Sequence, residues 1–146
     1  MKKLLSTALL TAACALAGSA FAQATPVGLW KTIDDDTKQE KSLVRITESG
    51  GVVTGKIEKL LDPSKADAKC DKCTDARKDQ PVVGMTIING VKKHSDEAYW
   101  EGGQILDPNN GKTYKVRLTP KDGGKTLEVR GFIGFLYRNQ TWQRVE

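Results

Sequence analysis

A chain of 146 residues, with 23 Lys and Arg against 18 Asp and Glu, is long enough for one domain with one core. Its formal charge of +5 falls to +3, and its length to 124 residues, once the first 22 residues are set aside, because these carry Lys2 and Lys3. A surplus that small gives no footing for a nucleic-acid partner, although it suits a weak attraction to an anionic envelope surface.

The first 22 residues read as an export leader. Met1-Lys2-Lys3 is basic, Leu4 to Ala17 is apolar but for Ser6, Thr7 and Thr11, and Ala20-Phe21-Ala22 fits the small-x-small cleavage pattern. The apolar run is short for a transmembrane anchor and is followed by the small residues Gly18-Ser19-Ala20. Lipid attachment at Cys14 is the rival, but Thr11-Ala12-Ala13-Cys14 is a poor lipobox. The expectation is a periplasmic or secreted protein, cleaved near Ala22, with a single domain over residues 23–146.

The mature chain alternates strand-like runs with turn signals. Val27 to Ile33 is the first run, and Asp34-Asp35-Asp36-Thr37-Lys38 makes a polar turn without the ligand spacing of a calcium loop. Ser42–Glu48 and Val52–Leu60, joined by Ser49-Gly50-Gly51, read as a hairpin. Leu61 to Gln80 is a long, polar loop, and a loop of that length is usually functional or a cap. Val82–Ile88 reads as an apolar strand ended by an Asn89-Gly90 turn. Ala98–Leu106, kinked at Gly102-Gly103, leads to the Asp107-Pro108-Asn109-Asn110-Gly111 turn. Lys112–Thr119 alternates cleanly, Leu127–Gly131 does so again, and Gln140–Val145 closes the chain.

No stretch after Ala22 carries a helical period of useful length. About eight short strands predict an all-β fold, a small antiparallel barrel with a long Cys-containing loop. Eight strands leave an interior that side chains or one small ligand can fill. A membrane barrel is the competitor, but the strands are short, the aromatics are few, and the outward positions carry Lys, Arg and Glu.

Cys70 and Cys73 are the pair left after export. They admit three readings: a disulfide staple, a redox pair and part of a zinc site. The redox reading lacks the strand-then-helix setting, and zinc would need further ligands such as Asp71 and Asp75. His94, beside Ser95 and Asp96, reads as a solvated hairpin tip. Glu101 and Asp107 are the best carboxylates for acid–base work, yet turn capping accounts for Asp107. No catalytic constellation emerges, and no cofactor or metal is implied.

Tyr99, Trp100, Tyr114 and Phe132 are candidates to line a barrel interior, though each also reads as plain core. Trp30 in the first strand and Arg144 in the last, after Trp142-Gln143, can meet where a barrel closes. Gly28-Leu29-Trp30 resembles the G-x-W opening of lipocalin-like (calycin) barrels, whose Trp packs against a late Arg.

Several segments together resemble the bacterial exported family known as domain of unknown function 2147. They are Gly28-Leu29-Trp30, the central Asp79-Gln80-Pro81-Val82-Val83-Gly84, and Gly103 through Tyr114 with Asp107, Pro108 and Gly111. Leu127 through Gly134, with Arg130 and Gly131, and Arg138 through Arg144, with Trp142, complete them. The resemblance spans essentially the whole mature chain. It implies a small lipocalin-like barrel and carries no activity with it.

The function expected on these grounds is non-catalytic binding of a small apolar or amphipathic ligand, with the Cys70–Cys73 loop ordering one mouth. The alternatives are a thiol-redox or stress-related envelope protein using the two cysteines, and a protein–protein adaptor with a filled barrel and a partner the sequence does not name.

Overall fold

The computed structural model describes residues 24–146. The leader over residues 1–22, cleavage after Ala22 and the lipid site at Cys14 fall outside the described residues. Within them, eight strands follow one another: β1 (Gly28–Ile33), β2 (Glu40–Ser49), β3 (Val52–Leu60), β4 (Thr86–Lys93), β5 (Trp100–Asp107), β6 (Lys112–Lys121), β7 (Thr126–Ile133) and β8 (Leu136–Arg144). Each pairs antiparallel with the next, and β8 returns to β1 to close the barrel.

Because direction alternates, the connections sort to two ends. The β2–β3, β4–β5 and β6–β7 turns share one end with the Ala24–Val27 segment and the C terminus. The β1–β2, β3–β4, β5–β6 and β7–β8 connections share the other. Closure is brief: β1 pairs with β8 only at Trp30 with Arg144 and Lys31 with Gln143. Beyond Lys31 the two strands have no register toward the second end, where Arg138 of β8 reaches across to Asp35 (2.5 Å) and Asp36 (3.2 Å) of the β1–β2 loop.

Period-2 patterning sets the two faces. Trp30, Val44, Ile46, Val53, Val91, Val116, Leu118 and Leu127 point inward and are buried. Outside, Arg45 pairs with Glu58, Lys31 with Glu40 and Arg117 with Glu101. An apolar interior under a charged exterior is the reverse of a membrane barrel, whose outer band is apolar. Among the described residues no helix is long and apolar enough to cross a membrane.

The strand expected over Val82–Ile88 is displaced. Val82–Met85 is a tight turn sewn to β3, with Gly84 N–H donating to Ile57 O (2.7 Å) and Ile57 N–H to Met85 O (3.0 Å). The strand itself starts at Thr86 and runs through Asn89-Gly90, which the sequence marks as a turn. The reason lies in the facing strand: a Cβ on Gly103 would overlap the Asn89 carbonyl and Gly90. The bare backbone there lets β4 carry Gly90 at φ +70° without turning away.

Candidate functional site

The two ends of the barrel are finished differently. At the closed end the chain segment before β1 crosses the opening. Trp30 is fully buried, and its indole N–H donates to Pro26 O (2.7 Å). The Arg144 guanidinium lies over that indole, 4.2 Å from the ring centre. It donates to the carbonyls of Thr25 (2.6 Å), Val27 (2.8 Å) and Gly124 (2.5 Å). Burial pulls its pKa below the ordinary guanidinium value, and the guanidinium remains a cation at any physiological pH. This arrangement plugs one end and leaves the other as the way in.

The open half is hollow. A cavity of about 810 Å³ occupies it and reaches the surface among the β1–β2, β3–β4, β5–β6 and β7–β8 connections. Its space comes from small inward side chains, among them Thr32, Ser42, Ala68 and Gly131, where the closed half has Trp, Ile and Leu. Ile57, Leu60, Val82, Ile87, Leu106 and Val129 supply apolar wall, and Trp142 lies toward the closed half. The polar groups inside are mutually satisfied: Thr32 and Ser42 hydroxyls share a 2.8 Å bond, and Trp142 Nε1–H donates to Gln140 Oε1 (2.9 Å). No buried side-chain nitrogen or oxygen among the described residues lacks a partner.

Of the four aromatic candidates, Tyr114 stands at the cavity wall, its hydroxyl accepting from Asn110 Nδ2–H (2.8 Å). Trp100 is buried in the core and does not border the cavity. Tyr99 and Phe132 are on the outer face, both against the Arg117 guanidinium at 4.1 and 5.5 Å. Alternation explains the split: adjacent residues of a strand face opposite ways, so Tyr99 cannot share an interior with Trp100, nor Phe132 with Gly131 and Ile133. What sequence reasoning missed is the lining by Thr32, Ser42, Gln140 and Gly131, whose signal is small or polar residues at inward-facing positions.

The long β3–β4 loop builds one wall of the mouth. Its halves pair through Lys69 and Pro81, and Val82 N–H donates to Ala68 O (2.9 Å). Cys70 and Cys73 are at disulfide-bonding distance, with Cα atoms 5.4 Å apart, and both are buried. The Cys70 carbonyl accepts from Asp79 N–H (2.8 Å), and its amide donates to Gln80 O (2.9 Å). Asp79, Gln80 and Pro81 thus fold the chain back onto the cysteine turn. That turn packs on Asp107–Gly111 so closely that a Cβ on Gly111 would overlap the Lys72 carbonyl. Arg77 clamps the loop, donating to the Asp75 carboxylate (2.6 Å) and to Thr86 O (3.0 Å). The Arg77 side-chain bond holds the Asp75 carboxyl at a pKa of about 2.

Rim carboxylates are committed to their own turns. Asp34 accepts from Thr37 N–H (2.8 Å) and Thr37 Oγ1–H (3.0 Å), Asp62 from the Ser64 hydroxyl (2.7 Å) and amide (3.0 Å), and these bonds pull both pKa values down. Carboxyls so held are ill suited to carry a proton near neutrality. Asp107 accepts from Asn109 N–H, and Glu101 is paired with Arg117 on the outer face. His94 lies at the closed end, where its Nδ1 accepts from the Asp96 and Glu97 amides, both at 3.1 Å. Among the described residues no three His, Cys, Asp or Glu side chains gather as a metal-binding group.

The fold is that of a solved lipocalin-type barrel. The protein HP1028 of the human pathogen Helicobacter pylori, described as belonging to the lipocalin family, superposes with a TM-score of 0.72. The two share 22% identity over 84% of each chain. No curated protein matches the chain. Residues 28–144 match the model of a family described as uncharacterized proteins conserved in bacteria, which begins at the Gly-x-Trp opening and ends at Arg144. The chain therefore belongs to that family, domain of unknown function 2147.

Proposed function

We propose that this barrel is a non-catalytic carrier or receptor for one small apolar or amphipathic molecule, working in the periplasm or after secretion. The observation that carries the reading is the cavity: about 810 Å³, with buried aliphatic side chains such as Ile57, Val82, Ile87, Leu106 and Val129 in its depth, polar and charged ones at its rim, and an opening among the connections of one end. That volume falls in the range of pockets that take drug-sized ligands. With no charged group in its depth and charged groups around its rim, it suits a molecule with an apolar body and a polar end. A hollow interior weighs against the filled-barrel adaptor. Buried cysteines weigh against direct thiol exchange, which needs an accessible sulfur. The leader-like first 22 residues and the close cysteine pair support an oxidising, extracytoplasmic setting.

Native mass spectrometry of protein purified gently from the expressing cell tests this. The expected result is a non-covalent organic adduct, released on unfolding. A bare polypeptide mass, together with no uptake of the apolar probe 1-anilinonaphthalene-8-sulfonate by the folded protein, would overturn the carrier reading.

A further inference from the structure

The β7–β8 hairpin ends in an apolar tip that nothing in the molecule covers. Ile133 is 63% exposed, Phe135 95%, Leu136 62% and Tyr137 59%, while Val129 and Trp142 further down the same hairpin are buried. Folding does not ask for this. Ile133 pairs with Leu136, leaving Gly134 and Phe135 as a two-residue turn. Such a turn needs its glycine, and its second position is met equally well by a polar residue. Contiguous apolar exposure of this kind marks a contact surface.

The tip stands at the open end, where Ile133, Leu136 and Tyr137 border the cavity mouth. From side-chain size its exposed area is on the order of 500 Å². A stable protein interface takes about 800 Å² from each partner, so the tip alone is too small for a second copy. A bilayer needs no matching shape and accepts a protruding apolar point. The surroundings of the tip suit the headgroup layer. Arg130 lies over the Tyr137 ring at 4.3 Å, and exposed Lys115 is paired in register with Phe132 one step below. Tyrosine and basic side chains settle at that depth, with aliphatic and phenyl groups deeper.

We propose that the β7–β8 tip docks the protein on a phospholipid bilayer, with Phe135 and Leu136 inserted and the cavity mouth turned to the lipid. The proposal does not depend on what the cavity holds, since it rests on the outer tip alone.

The test is flotation of the purified protein with phosphatidylcholine vesicles containing a minority of phosphatidylglycerol, against the Phe135→Ser/Leu136→Ser variant. Both proteins carry the same N terminus, so a contribution from it cancels. The expected result is that wild type floats with the vesicles and the variant partitions at least about tenfold less, with an unchanged melting curve because both positions are exposed. A Phe135→Trp variant should gain fluorescence that is quenched by brominated lipid. Equal partitioning of wild type and the double variant, failure of brominated lipid to quench the added fluorescence of bound Phe135→Trp protein, or no flotation of wild type would each overturn the proposal. A concentration-dependent dimer lost in the double variant, without flotation, would overturn it in favour of a second copy.

Discussion

Arg144 joins three backbone carbonyls that no strand pairing could satisfy, those of Thr25, Val27 and Gly124. A planar guanidinium can donate in three directions at once while lying flat on the Trp30 indole. Gly28 makes room for it, because a Cβ there would overlap both Arg144 Nη1 and the Glu146 carbonyl. The short Gly-x-Trp pattern is thus one mechanical unit with a residue 114 positions beyond Trp30. Arg144→Ala should cost about 2–4 kcal/mol in urea unfolding, from lost charge-assisted bonds and the lost cation–π contact. Arg144→Lys should recover little, since an ammonium cannot reach all three acceptors while stacked. Probe uptake at the far end should survive both changes wherever the protein remains folded.

The β3–β4 loop behaves as an element in its own right, although it has no strand pairing beyond the Lys69–Pro81 bridge. Its length and its cysteines were legible in the sequence. Its docking on Asp107–Gly111 was not, because that contact joins segments roughly 40 residues apart. The Arg77–Asp75 clamp makes the loop sensitive to acid. Asp75 titrates near its ordinary 3.8 when the clamp is open and at about 2 when it is closed. A depressed carboxyl favours the closed loop above pH 3.8, and the preference fades as pH falls toward 2. An NMR titration following the Arg77 side-chain N–H signal should therefore show a step between pH 4 and 2. In Asp75→Asn the step should be absent and the loop already loosened at neutral pH.

At the scale of the whole molecule, one barrel is divided between a solid half and a hollow half. Residue size contributes to the division: Trp30, Ile46, Leu118 and Leu127 fill one half, while Thr32, Ser42 and Gly131 leave room between the aliphatic walls of the other. Filling the hollow should separate binding from stability. At Gly131 an added Cβ would meet Tyr114 at an ordinary 3.6 Å, so the position accepts a side chain that then projects into the cavity. Gly131→Phe should weaken uptake of the apolar probe by at least about tenfold, while the unfolding midpoint holds or rises because glycine inside a strand costs about 0.5–1 kcal/mol. Loss of binding alongside a collapse in stability would instead mean that the site had been misfolded.

Alternation and turn chemistry are local, and they were enough to reveal an all-β chain of about eight strands. The Ser49-Gly50-Gly51 hairpin, the Asp107–Gly111 turn and the inward Val116 and Leu118 all follow from neighbours in sequence. The family pattern over residues 28–144 is equally a property of the linear chain. Tertiary structure decided the rest. It carried β4 through Asn89-Gly90, because the permitting residue, Gly103, lies on another strand. It put Tyr99 and Phe132 outside and Tyr114 at the cavity wall, because the face a strand turns inward depends on closure of the barrel. It left the interior half empty, since a void is the sum of side chains from many strands and no single segment encodes it.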